Sequence, residues 1–337
     1  MTSKMTKIDP TKIDMVYLWV DGKDPVHRQK RLDLARKLNV KMDNTSDNQE
    51  NHDARFADHD ELKYSLRSLA KYANWINNIY IVTDNQVPQW LNIDHPRIHI
   101  VDHKDIMPSD ALPCFNSNAI EHCIVNIKEL GEYFLYGNDD MFFCNPCYPD
   151  DFFDLKTQKA KVYTLKSIVR QKVNDNQLFA VSMYNAYQLL WKKFGKKFDK
   201  EMHHNIDPYI KSSMLACKKE FSAEINICVH NHFRALSDVN RTIYTGYAAQ
   251  NDRALLYYNG RSYGKFPLCI VNFILQRFKK FSKYLECNEI DKFEDCLKRY
   301  HSKLICVNAS EEDAEDSTQK LQDVFRKWLP DKSEFEI

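Results

Sequence analysis

The segment Phe134-Leu-Tyr-Gly-Asn-Asp-Asp-Met-Phe-Phe143 is an apolar run that breaks at Asn138, Asp139 and Asp140 and then resumes. Adjacent carboxylates at the end of a strand are costly to bury unless a cation or hydrogen-bond donors neutralise them, and Mg²⁺ (or Mn²⁺) on a nucleotide diphosphate is the natural candidate. Asn and Asp are also ordinary turn formers, so a turn in which these acids cap the next segment competes with that reading. Histidines and arginines gather later in the chain: His203 and His204 ahead of Asp207, then His230, His232, Arg234, Asp238 and Arg241. Phosphoryl transfer asks for a cation or guanidinium near the non-bridging oxygens and a base for the acceptor's proton, and this cluster holds both types. The bland reading of each histidine is a hydrogen-bonded or surface imidazole, and that of Arg234 a surface ion pair. Cys144-Asn-Pro-Cys147 has the spacing of zinc and redox sites but lacks a second such pair or a suitable pair of histidines. No Walker loop, GxGxxG fingerprint or GxSxG elbow is present, so kinases, dehydrogenases and esterases lose their usual signatures.

These residues need a frame. Met15–Val20 reads as a buried strand closed by Asp21-Gly22, and a helix follows from Pro25 to about Leu38. Asp43 to Asp60 is a polar tract with almost no apolar content, read as a mobile insertion over about residues 40–58. Leu62, Leu66, Leu69 and Ala73 make one apolar helical stripe, with Asp60 and Glu61 at its favourable dipole end. Ile79–Thr83, Ile98–Val101 and Tyr133–Tyr136 read as further strands, and Asn118 with Glu121 suggests a capping box for a helix running through Ile124 and Ile127. Alternating strands and helices predict an α/β class with a mainly parallel, Rossmann-like sheet over about residues 13–153, where ligands collect at the carboxyl ends of the strands. The second half, 154–303, reads as a mostly helical cap with candidate helices at Leu178–Lys193, Asp207–Lys219, Gln250–Tyr258 and Asn272–Leu285. A strand at Leu304–Val307 and a helix at Glu311–Leu329 bring residues 304–337 back to the core. With no repeat and no Pro/Gly/Ser linker, 13–337 reads as a single catalytic unit.

The 337 residues are 43% hydrophobic and 28% charged, enough apolar content to fold. A net charge of +1 gives no field to hold a polyanion, which argues against nucleic acid as a partner. Met1–Asp14 lacks the apolar core of a secretory signal, no stretch reaches about 18 uninterrupted apolar residues, and ten cysteines without such a signal read as reduced thiols. A cytoplasmic location follows as an expectation. Gln276–Tyr284 sets Arg277, Lys279, Lys280 and Lys283 around Phe278 and Phe281, a pattern suited either to a solvated helix or to an anionic membrane surface.

Taken in order, these segments resemble the four conserved regions of the Stealth family, which includes capsule and exopolysaccharide phosphotransferases and the animal enzyme that starts the mannose-6-phosphate tag. Ile13–Pro25 resembles the first region. The second is matched by Arg55-Phe, Asp60–Ser68, Trp75-Ile, Ile79–Asp84, Leu112-Pro, Phe115-Asn-Ser117, Ala119-Ile-Glu121 and Phe134–Phe143. His203–Tyr209, His232-Phe-Arg234 and Asp238 resemble the third region, and Leu304–Asn308 with Leu329–Glu336 the fourth. The resemblance implies a nucleotide-sugar-transferase-like fold in which an acceptor hydroxyl attacks the sugar-linked phosphate of a UDP-sugar and UMP leaves. It implies that His204 is the general base, that Arg234 and Asp238 form a polar pair near the transferred phosphate, and that Asp139 and Asp140 serve the site through Mg²⁺ (or Mn²⁺). Asp21, Gly22 and Asp24 would lie near the nucleotide, with Asn116, Ser117 and Asn308 also on the donor side. The implied partners are the donor and a glycan acceptor, with room for peripheral association with the inner membrane and polysaccharide assembly proteins. The chain departs from the family at Ala309, where Asp is common, so that a metal ligand is either missing or supplied elsewhere, as by Ser310 or Glu311. A metal-dependent glycosyltransferase releasing UDP, and a silent glycan-binding or assembly protein, are the two alternative functions.

Overall fold

The computed structural model describes residues 7–40, 56, 58–168, 177–195, 199–258, 261–262, 281–308 and 315–337. Its main sheet is built from β1 (Asp14–Leu18), β2 (Ile79–Thr83), β3 (Ile98–Asp102) and β4 (Tyr133–Asn138), all parallel in the order β3-β2-β1-β4. The strand Asp207–Ile210 closes the β4 edge antiparallel, with Tyr136 opposite Asp207. The α/β class with a mainly parallel sheet is therefore observed. The Val, Ile, Leu and Tyr content of these strands follows from burial on both faces, which favours near-continuous apolar runs.

Local chemistry explains the flanking helices. Pro25 opens the helix Pro25–Leu38, Asp24 Oδ1 accepts from Val26 N at 2.8 Å, and Asn39 ends it in the left-handed region. The helix Glu61–Tyr72 carries the predicted stripe, with Leu62, Leu66 and Leu69 buried against the sheet. One buried cluster links this stripe to Phe152, Trp191, Leu304 and Phe335.

Several elements differ from their sequence patterns. Asn116, not Asn118, caps the helix Ser117–Glu121, its side chain accepting from Asn118 N at 3.1 Å, and Ile124 starts a separate 3-10 turn. Asp207–Ile210 is a strand and the helix begins only at Lys211, because Pro208 suits an edge strand. The helix expected at Gln250–Tyr258 is instead the end of Thr242–Gln250 followed by the strand Ala254–Tyr258, where Leu-Leu-Tyr-Tyr pairs parallel with Lys159–Ile168. That pair, with Phe153–Asp154, Lys200–Met202 and Arg261–Ser262, gives the second half its own sheet beside its helices. Of the helix expected at Asn272–Leu285, residues 272–280 lie outside those described, and Ser282–Glu286 is a strand. Leu304–Asn308 does not rejoin the main sheet. It lies between Ser282–Glu286 and β5 (Met141–Phe143) in a three-stranded sheet. The helix Glu315–Trp328 is described, whereas 309–314 and most of the expected insertion at 40–58 lie outside the described residues.

The end of the chain is clamped back onto Glu61–Tyr72. Arg67 Nε and Nη2 donate to the two Glu336 carboxylate oxygens at 2.8 and 2.7 Å, Nη1 donates to Leu329 O at 2.7 Å, and the two side chains are only 8% and 1% exposed. Burial alone would raise the Glu336 pKa, but the bonds from Arg67 and Ser333 hold it below the ordinary range. The pair's contribution is therefore present above the usual glutamate range and is lost as pH falls through it. Arg67→Ala leaves a buried carboxylate unpaired and is expected to cost about 3 kcal/mol or more in urea unfolding. A loss below about 0.5 kcal/mol would mean that the clamp behaves as a surface pair.

Candidate active site

β4 runs beside β1, and the two residues after it turn into β5. That turn is Asp139-Asp140. Leu18 sits opposite Asn138, so the turn lies at the carboxyl ends of the parallel strands, where an open α/β sheet takes its ligands. On the far side, β5 pairs antiparallel with Leu304–Asn308 so that Met141 faces Cys306, and Val307 N donates to Asp140 O at 3.0 Å. The Cys306 thiol then lies 3.3 Å from Asp140 Oδ2.

Asp139 and Asp140 are joined by acids that sequence reasoning missed. Burial and the neighbouring Asp140, Glu61 and Asp58 carboxylates raise Asp139 well above the ordinary range. Burial also raises Asp140 to about 6, and burial with the Asp58 charge raises Glu61 to about 8. Asp58 is tied to the end of β1 by Trp19 Nε1 at 3.2 Å. Asp140 Oδ1 is buried and has no hydrogen-bond partner among the described residues. Of these four acids only Asp140 belongs to a group of three described residues with ligand atoms within 4.8 Å of one another, and its orphaned oxygen is the one a cation could take. In Glu61 the missed signal was the residue type itself: an acid opening a helix satisfies the dipole rule, which hid its burial.

His203 and His204 take different roles. His203 is locked, with Nδ1 2.8 Å from Ser282 Oγ and Nε2 3.0 Å from Asp207 Oδ1. His204 makes no hydrogen bond to a described residue and lies edge-on between Phe179 and Tyr284, with ring centroids 5.5 and 5.7 Å away. Burial first, then the nearby Arg241 charge, lowers its pKa to about 3, so the ring is neutral. His204, Asp140 and Cys306 offer ligand atoms all within 4.8 Å of one another, the only such metal-binding group among the described residues. Cys144 and Cys147 are not part of it, and no disulfide joins two of the described cysteines.

Behind these groups runs a buried polar chain. Arg241 Nη1 donates to Asp207 Oδ2 at 2.6 Å, its Nε lies 3.7 Å from Glu121 Oε1, and the guanidinium stacks over Tyr136 at 4.9 Å. The Tyr136 hydroxyl is 2.9 Å from both Glu121 Oε1 and Asn138 Oδ1. Glu121 Oε2 is buried without a partner among the described residues, and burial raises its pKa despite Arg241. Glu121 and Arg241 stand in the motifs quoted above but were given no role there.

The polar pair Arg234–Asp238 is not a pair. Arg234 Nη2 donates to Ser117 Oγ at 3.0 Å and faces Phe179, and its charge is felt by both Glu121 and His204. Asp238 is fully buried and accepts from Asn231 Nδ2 at 2.7 Å, Asn116 Nδ2 at 2.9 Å, Ala235 N at 3.1 Å and Asn118 Nδ2 at 3.4 Å. It fixes the turn that presents Arg234, and Asn116 is consumed in the same network. His232 likewise bonds Pro113 O at 2.7 Å. Gln86 bonds the Asp21 backbone and the Asp24 carboxylate, the Asp21 carboxylate accepts from Lys23 N at 2.9 Å, and a Cβ on Gly22 would fall 2.1 Å from Phe56 O, so close packing requires glycine there. Asn308 Nδ2 reaches Glu286 Oε2 at 3.4 Å, and Ala309 lies outside the described residues.

A mainly parallel α/β sheet with carboxylates, a free imidazole and a guanidinium at its strand ends has the build of an enzyme of the transferase type. Residues 11–37 match Stealth protein CR1, conserved region 1, and residues 55–161 match Stealth protein CR2, conserved region 2. The exopolysaccharide phosphotransferase cps2G of Lactiplantibacillus plantarum is 31% identical over 97% of this chain and 97% of its own length. The capsular polysaccharide phosphotransferase LcbA of Neisseria meningitidis is 29% identical over 89% of this chain and 83% of its own, and the exopolysaccharide phosphotransferase SCO6021 of Streptomyces coelicolor 33% over 96% and 57%. The chain belongs to the Stealth family. The solved galactosyltransferase LgtC overlaps 95% of this chain and 96% of its own at a TM-score of 0.45 and 8% identity, too slight a likeness to argue from.

Asp238→Ala removes the acceptor of four N–H donors and the Cys228 thiol and is expected to lower stability by about 2 kcal/mol or more, visible as a fall in the thermal midpoint. An unchanged midpoint with lost activity would return Asp238 to direct contact with substrate.

Proposed function

We propose that this protein transfers hexose-1-phosphate or N-acetylhexosamine-1-phosphate from a UDP-sugar to a glycan hydroxyl in capsular or exopolysaccharide synthesis. The observation that carries the reading is the unbonded His204 imidazole facing the Asp140 carboxylate, with Arg234 beside it, in a chain whose relatives are named as phosphotransferases. In this reading the acceptor oxygen attacks the sugar-linked phosphorus and its proton passes to His204. The bond to the UMP oxygen breaks, UMP leaves, and a phosphodiester remains. The donor's phosphate charge opposes the Arg241 field and raises the basicity of His204 as the substrate arrives. Arg234 meets charge on the phosphoryl oxygens, Asp238 holds the turn that carries Arg234, and Arg241 fixes Asp207 and Glu121 around the base.

Asp139 and Asp140, with Glu61 behind them, would hold Mg²⁺ or Mn²⁺. Such an ion supplies charge neutralisation of the donor diphosphate. Asn116, Asn308 and Ser117 would serve as donor contacts. Asp21, Gly22 and Asp24 are kept as the turn that would lie near the nucleotide. Residues 13–337 act as one catalytic unit in this reading. A cytoplasmic setting is supported by the free thiols, and no helix among the described residues is long and apolar enough to cross a membrane. Peripheral attachment to the inner membrane or to assembly proteins rests on the basic segment, most of which lies outside the described residues.

Product analysis tests the reaction. One phosphorus retained per transferred sugar and release of UMP are expected by mass spectrometry, whereas UDP with a phosphorus-free product would establish glycosyl transfer instead. His204→Ala should lose about 10²- to 10⁴-fold in rate with donor affinity near wild type, and His203→Ala should instead lower stability. Equal kinetic losses in both variants would remove the base assignment. Activity is expected to vanish in EDTA, to return with Mg²⁺ or Mn²⁺, and to fall sharply in Asp140→Asn; full activity in EDTA after dialysis would exclude the ion.

A further inference from the structure

A site built for Mg²⁺ alone has no use for sulfur, because a hard cation takes oxygen ligands. Yet the Leu304–Asn308 strand delivers a thiol into this one. The register that sets Met141 opposite Cys306 is fixed by paired backbone, and Cys306 is fully buried, so the sulfur is held in place. It lies 3.3 Å from Asp140 Oδ2, and with His204 it completes a group whose ligand atoms all fall within 4.8 Å. Asp140 keeps a second, unpartnered oxygen, and His204 has no hydrogen bond to a described residue that would have to be broken. Thiolate, imidazole and carboxylate around an open fourth position form a zinc-type ligand set, and tetrahedral bonds of about 2.0–2.3 Å need these atoms to close by only about 1 Å.

We propose that Asp140, His204 and Cys306 form a binding site for a thiophilic divalent cation, Zn²⁺ in the first instance, that overlaps the catalytic groups and excludes turnover while occupied. Cys306 gives up its proton to solvent as the metal–sulfur bond forms, and His204 binds through a ring nitrogen lone pair. An imidazole committed to zinc cannot accept the acceptor's proton, and Asp140 is withdrawn from the Mg²⁺ or Mn²⁺ site. The exclusion of turnover rests on the function proposed above; the binding site does not.

The test uses the full chain with Co²⁺ as a spectroscopic stand-in for Zn²⁺. A sulfur-to-cobalt charge-transfer band is expected in the near ultraviolet, displaced by Zn²⁺ and absent in Cys306→Ser, with Zn²⁺ affinity about tenfold or more weaker in that variant. X-ray absorption at the zinc edge of the wild-type protein needs no variant, and one sulfur scatterer at about 2.3 Å with nitrogen and oxygen near 2.0 Å is expected. A zinc shell of oxygen and nitrogen alone, or a charge-transfer band that survives in folded Cys306→Ser, overturns the site. Zinc bound through sulfur with Mg²⁺-supported turnover unchanged overturns the exclusion. If no UDP-sugar turns over at all, the function fails, while the spectra still decide the metal site.

Discussion

The buried guanidinium of Arg241 is the charge on which the interior depends. It lies within 3.7 Å of both Asp207 and Glu121 and over the ring of Tyr136, and its field reaches Asp140, His204 and Cys306. A buried cation of this kind is costly unless its partners surround it, and here they come from β4, the Asp207–Ile210 strand and the Ser117–Glu121 helix. These elements are far apart in sequence and are drawn to one point by the same charge. The balance is not complete: Arg241 favours the charged form of Asp140, while burial and mutual repulsion raise Asp58, Glu61 and Asp139 beside it. A site left short of positive charge in this way is prepared to receive it from a ligand.

The pair His203-His204 shows how one peptide unit divides support from chemistry. His203 spends both ring nitrogens on Ser282 and Asp207, joining the small three-stranded sheet to the Arg241 network. Among the described residues His204 packs edge-on against Phe179 and Tyr284, and its nitrogens make no hydrogen bond. Asp238 and Arg234 divide in the same manner. The carboxylate is buried under four donors, and the guanidinium four residues earlier is carried on the turn that those bonds fix. Rigidity behind the reacting groups keeps their positions from depending on loose loops.

The strand periodicity, the Pro25 helix start and the apolar stripe of Glu61–Tyr72 were legible in the sequence, because each is a local pattern whose burial follows from residue type. The acidic end of β4 and the family membership were legible too, since both depend on residues adjacent in the chain. Asp207–Ile210 and Ala254–Tyr258 were misread as helix, because their strand character comes from partners at Tyr136 and Tyr163 that local spacing does not reveal.

By itself the sequence determined an α/β core and the presence of carboxylates, imidazoles and guanidinia in Stealth-like order. Only the tertiary structure decided which of them meet. Asn116, Asp238 and His203 are consumed by buried hydrogen bonds, while Glu61, Glu121, Arg241 and Cys306 enter the site from strands and helices paired across as many as 166 positions of chain. The reason is physical: a polar side chain's role is set by whether folding satisfies its hydrogen bonds, and that depends on neighbours brought by sheet register rather than by sequence spacing.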